Sequence, residues 1–145
     1  MIDTRTAPYA ALLLRLTLGV MFLSHGLLKV FVFTPAGTAG FFASLGLPEW
    51  MAYATIGAEV FGGLLLIAGV QTRLVALALI PLLLGTVWVH SGNGWLFSSA
   101  NGGWEYPLFL SMSALIQALL GDGAFSLGHV LGKKHNAFSS TAQTA

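Results

Sequence analysis

Of the 145 residues, 56% are apolar and 8% charged, with six Lys/Arg against five Asp/Glu and a formal net charge of +1. A soluble domain carries about 25% charge, so a water-soluble enzyme is excluded, and the basic residues are too few to grip nucleic acid. No cysteine is present, which removes disulfides, iron–sulfur clusters, thiolate metal sites and CxxC redox chemistry, and a mean hydropathy of +0.82 makes lipid the solvent.

A helix needs roughly 20 mostly apolar residues to cross about 30 Å of hydrocarbon, and four stretches qualify. The first runs from Tyr9 to Phe33 and closes at Thr34-Pro35-Ala36-Gly37, where Pro35 and Gly37 oppose continuation. A cleavable leader is the rival reading of this segment, and Arg15, His25 and Lys29 inside it argue against that. The second span follows Pro48 and runs from Glu49 to Val70; after a turn at Gln71-Thr72-Arg73 the third runs to His90, with Pro81 expected to kink it. Ser91 to Gly103, rich in Gly, Ser and Asn, is expected to be a loop. The fourth span covers Trp104 to Gly121, with Pro107 tolerated in its first turn.

This gives an all-α fold, an integral membrane bundle of four transmembrane helices over residues 1–128, and a polar tail over 129–145 expected to be disordered. With four spans, Arg5, Arg15, Arg73, Lys133 and Lys134 share one side and only Lys29 the other. The excess puts both termini of this multi-pass protein in the cytoplasm. Trp50, Trp88, Trp95 and Trp104, with Tyr53 and Tyr106, then gather at the outer interface. They read as an aromatic belt or, alternatively, as a stacking platform for a flat ligand.

Ionisable side chains inside spans are costly unless they face the bundle interior, so each is a candidate site residue. On the first helix Arg15, Gly19, Phe22, His25, Gly26 and Lys29 fall within an arc of about 120°, and the glycines invite close approach of a neighbour. On the second, Glu59 shares a face with Gly62 and Gly63. Depth along the helix axes lets Glu59 meet His25 or Lys29, sets His90 and Glu105 at the same outer level, and leaves Arg15 lower, near Arg73 or Asp122.

Glu59, His25 and Lys29 are therefore the candidate catalytic residues, and Arg15, His90, Glu105, Trp88 and Trp104 the candidate ligand contacts. Three readings of this polar set stay open. It is a buried ion-pair network that fixes helix register, a proton-relaying site for a polar ligand such as a quinone head group, or a metal or haem site. For the last, His25 and His90 are the candidate ligands, without a spacing that specifies a metal. Arg73 reads as an orientation determinant, with contact to lipid phosphate the alternative.

In order along the chain, Arg15-Leu-Thr-Leu-Gly19, His25-Gly26, Lys29, Gly46-Leu-Pro48, Glu59-Val-Phe-Gly62-Gly63, Thr72-Arg73 and Gly121-Asp-Gly-Ala-Phe-Ser126-Leu127 resemble the DoxX family of small four-helix membrane proteins. The family often carries Asp where this chain has Gly128. The resemblance implies a bacterial inner-membrane bundle acting as a membrane oxidoreductase component, related in name to a thiosulfate:quinone oxidoreductase and to thiol and oxidative-stress complexes. Under it, Arg15, Lys29, Glu59, Arg73 and Glu105 match recurring polar positions. The leading expectation is a redox-linked subunit that uses quinone, with Lys29 and His25 donating hydrogen bonds and Glu59 and Glu105 accepting and relaying protons. The alternative is a non-catalytic assembly subunit, in contact with lipids and with a larger membrane complex or further copies of itself. Solute or lipid transport comes third, because no pair of broken helices in matching halves is evident.

Overall fold

The computed structural model describes residues 3–128 and contains five α-helices. They are α1 (Ala7–Phe31), α2 (Pro35–Ser44), α3 (Trp50–Ala68), α4 (Thr72–His90) and α5 (Glu105–Leu120), with a short 3-10 turn at Ser91–Asn93 after α4. Among the described residues there is no strand. The polar tail, with Lys133 and Lys134, lies outside the described residues. Three helices, α1, α3 and α4 with its 3-10 extension, are long and apolar enough to cross a membrane, while α5 is apolar but has 16 residues.

The helix ends follow from local chemistry. Gly69 closes α3 at φ 69°, a left-handed conformation that glycine adopts without strain, and Gly69 and Val70 donate back to Leu66 and Leu65. Gly121 ends α5, its N–H bonded to the Gln117 carbonyl. Pro81 sits inside α4, on an exposed part of its surface, and the helix continues through it.

The Thr34–Gly37 breaker is a correction to the sequence reading. It does end α1, but it also starts α2. Pro35 occupies the first helical position, where its missing N–H costs nothing, and the Thr34 hydroxyl accepts from the Gly37 N–H at 3.1 Å. The Thr34→Ala variant is expected to destabilise α2 by about 1 kcal/mol, seen as faster amide exchange over Gly37–Phe41 with little change in α3.

The four longer helices close a ring in the order α1, α3, α4, α5, and α2 lies against α3 at one end. Inside the ring Leu18 and Phe22 of α1 meet Leu66 of α3, Leu79 and Leu83 of α4, and Ala114 and Ala118 of α5. Outside it, Leu13, Phe61, Leu74, Phe109 and Leu119 stand exposed, the all-round apolar surface of helices whose solvent is lipid.

The tightest seam joins α1 to α3. A Cβ on Gly19 would come 2.9 Å from the Gly63 carbonyl, and one on Gly63 would come 2.6 Å from the Leu23 nitrogen. The two backbones touch there because neither residue has a side chain. Gly62, on the other side of α3, receives Leu79 of α4.

Candidate functional site

The α1–α3 seam positions the first polar group. Gly26 continues it one level above Gly19, a Cβ there falling 2.7 Å from Val60 and 3.1 Å from the Glu59 Cβ. With the helices this close, Lys29 reaches over Gly26, and its ammonium donates to both Oε1 and Oε2 of Glu59 at 2.8 Å. The Glu59 side chain is 6% exposed and that of Lys29 20%. Either charge alone would be unstable in lipid, whereas together they form a neutral, hydrogen-bonded unit. It is the one salt bridge among the described residues.

His25, one turn before Lys29, lies on the exposed edge of α1 rather than in the core. Its Nδ1–H donates to the Met21 carbonyl at 2.8 Å, which leaves Nε2 as a free acceptor within electrostatic reach of Glu59. Met21 is shared. Its sulfur accepts from the Tyr106 hydroxyl at 3.4 Å, bringing the start of α5 against the same stretch of α1. Beside Tyr106 opens a recess of 480 Å³ lined by Trp95, Phe97, Glu105, Leu108, Phe109 and Met112. Its walls are largely aromatic and apolar, with Glu105 the charged residue among them.

His90, Glu105, Trp88 and Trp104 do not join the Lys29–Glu59 pair. His90 donates from Nδ1 to the Gly102 carbonyl at 3.0 Å. Glu105 accepts from the Phe97 N–H at 2.8 Å, while its own N–H bonds the Trp95 carbonyl. Both close the loop between α4 and α5. Trp104 packs edge-on against Trp95 at 4.5 Å, so it buttresses the recess without lining it, whereas Trp88 stands exposed on α4. His25 and His90, the candidate metal ligands, are each tied through Nδ1 to a different element, and no group of three or more His, Asp and Glu gathers among the described residues.

Arg15 lies at the opposite end, 1% exposed. Its Nη2 donates to the carbonyls of Ala124 and Phe125 at 3.3 and 3.4 Å, and its charge faces Asp122. The guanidinium fills the space where Gly69 lacks a side chain. Asp122 Oδ1 accepts from the Thr72 N–H at 3.2 Å, so the Gly121–Gly128 segment ties the starts of α1 and α4 together. Two further bonds, Ala124 N–H to Pro8 and Gly128 N–H to Gly69, complete the clasp.

Sequence reasoning left Tyr106 in the aromatic belt and did not single out Met21, Phe109 or Met112. No spacing signals a recess whose walls come from a loop and the helix after it. Asp122 carried a signal in the Gly121-Asp122-Gly123 run, where two glycines let the chain fold sharply around one carboxylate.

Apolar helices packed around an interhelical ion pair, three of them long enough to cross a membrane, define a helical membrane protein. A family model described as DoxX matches residues 10–92. The chain belongs to the DoxX family. It is 33% identical over 131 residues, covering 89% of this chain and 93% of the relative, to a Bacillus subtilis (strain 168) protein named "Putative oxidoreductase CatD". A Haemophilus influenzae protein named "Uncharacterized protein" is 32% identical over 88% of this chain and 94% of its own length. The "Inner membrane protein YqjF" of Escherichia coli (strain K12) is 29% identical over 85% of this chain and 92% of its own. No solved structure matches the chain.

Proposed function

We propose that the protein is the quinone-associated membrane component of a redox system, a four-span bundle of the inner membrane with both termini in the cytoplasm. One observation carries the reading. Tyr106, a wall of the aromatic recess, donates to the Met21 sulfur, His25 bonds the carbonyl of the same Met21, and the Lys29–Glu59 pair begins one turn after His25. A flat ring against Tyr106 and Phe109 would be held by apolar contact, and a quinol hydroxyl would donate to the free Nε2 of His25. Lys29 and Glu59 then set the charge around that proton, and Glu105 is the charged residue of the recess. The chain has no cysteine, so the two electrons of the quinol pass to a redox centre on a partner. The oxidoreductase name of the Bacillus relative is in keeping with this.

The topology draws support from the Ala124–Pro8 bond, which joins the start of α1 to the end of α5 as an even number of crossings requires. At about 1.5 Å per residue α5 is some 6 Å short of a typical hydrocarbon core, a mismatch that local thinning and interfacial Trp104 absorb.

The test is lipid extraction and quinone analysis of the purified protein, followed by quinol oxidation in membranes with and without His25→Gln. Because His25 is exposed, folding is expected to survive. Loss of a general base is expected to lower the rate by about 100-fold. A protein that holds no quinone, with a His25→Gln rate equal to wild type, sinks the proposal in favour of a non-catalytic assembly subunit.

A further inference from the structure

At the end of the bundle remote from Lys29, a cleft of 550 Å³ opens between the first turns of α1 and the end of α5. Its two sides differ in chemistry. Pro8, Ala11 and Leu120 form an apolar side; Arg73, Asp122 and the Gly121 backbone form a polar one. Arg73 lies across Gly121, where a Cβ would fall 2.9 Å from its Nε, at a φ of 85° that itself favours glycine. The missing side chain leaves the guanidinium lying over the cleft.

Arg73 is exposed and has no hydrogen bond or ion pair among the described residues. Asp122 does not neutralise it. That carboxylate is held by the Thr72 N–H, and its charge faces buried Arg15. Two arginines against one aspartate leave one positive charge, and Arg73 is the exposed member. Asp3 and Arg5, in the turn before α1, carry opposite charges and add nothing net. Arg73 is also the second residue of α4, just past the turn between two apolar spans, which is the depth of lipid head groups.

We infer that this cleft holds one anionic glycerophospholipid, its phosphate on Arg73 and the start of its acyl chains along Pro8, Ala11 and Leu120. A guanidinium fork matches two phosphate oxygens. The apolar side selects a lipid over a soluble phosphate, which would leave that wall uncovered. A zwitterionic head group brings its own cation to the same place and loses the advantage.

Native mass spectrometry of the whole protein with equal amounts of phosphatidylglycerol and phosphatidylcholine tests this. One phosphatidylglycerol is expected to be retained with a preference of roughly fivefold, the contribution of one basic group at a membrane surface. Arg73→Gln is expected to erase the preference, and inorganic phosphate is expected not to compete. Equal retention of the two lipids, or an unchanged preference in Arg73→Gln, overturns the inference. Displacement by inorganic phosphate overturns it in favour of a soluble anion. Should the variant fail to fold, the wild-type protein with a photoactivatable phosphatidylglycerol decides: adducts are expected on peptides containing Pro8, Ala11 or Leu120, and adducts concentrated elsewhere refute the site.

Discussion

The Gly63→Ala variant is expected to lose about 3 kcal/mol of stability, while Gly57→Ala in the same helix gains about 0.5 kcal/mol. Both substitutions add one methyl group to α3, and both raise intrinsic helix propensity. They differ in what the methyl meets. At Gly63 it would lie 2.6 Å from the Leu23 nitrogen and 2.8 Å from the Gly19 carbonyl, both backbone atoms of α1. Backbone cannot rotate away as a side chain can, so the α1–α3 seam must open along its length. That movement also pulls Lys29 off Glu59, since the pair depends on the same approach one level higher at Gly26. At Gly57 nothing lies within 4 Å and only the propensity gain remains. Thermal or SDS-induced unfolding of the purified variants in mild detergent gives the comparison. Two stabilised variants would mean that the seam is looser than the structure has it.

The three long helices were legible because their signal is bulk. An apolar run broken by Gly69 or by Pro35 leaves little room for another reading, and their ends fall within two residues of the expected positions. The helix α2 was hidden by an ambiguity of its own residues. Proline and a nearby hydroxyl stop one helix and start the next with the same chemistry, and only the direction of the Thr34 side chain distinguishes the two. The Lys29–Glu59 pair was within reach of helical periodicity and depth.

The orientation of His25 was not. On α1 it lies about 100° around the axis from Gly26, at the edge of the arc that faces α3. An edge residue is settled by its neighbours rather than by its own helix. For His90 and Glu105 depth was a poor guide, because the Ser91–Gly103 segment folds back and takes up both side chains. Loop hydrogen bonds join residues whose separation carries no period, so nothing in the sequence announced them.

Removing either partner of the Lys29–Glu59 pair is expected to cost about 3 kcal/mol, and removing both considerably less than the sum. Lys29→Met leaves Glu59 among apolar side chains with its two acceptors empty; Glu59→Gln leaves an ammonium that an amide oxygen satisfies in part. The figure belongs at the lower end for a buried pair because the Lys29 side chain is 20% exposed. In Lys29→Met/Glu59→Gln no charge remains to be buried, and a thioether beside an amide is tolerable in the seam. A coupling of about 2 kcal/mol between the substitutions is the expected outcome of the double-mutant cycle, against about 0.6 kcal/mol for an average interhelical hydrogen bond in a membrane. A coupling below 0.6 kcal/mol would mean that the two side chains do not depend on each other. The doubly substituted protein also separates structure from chemistry. It is expected to fold and yet fail in quinol oxidation, since the charges that attend the proton at His25 are gone. If it folds and turns over quinol at the wild-type rate, the pair only holds α1 against α3 and the redox reading loses its charged group.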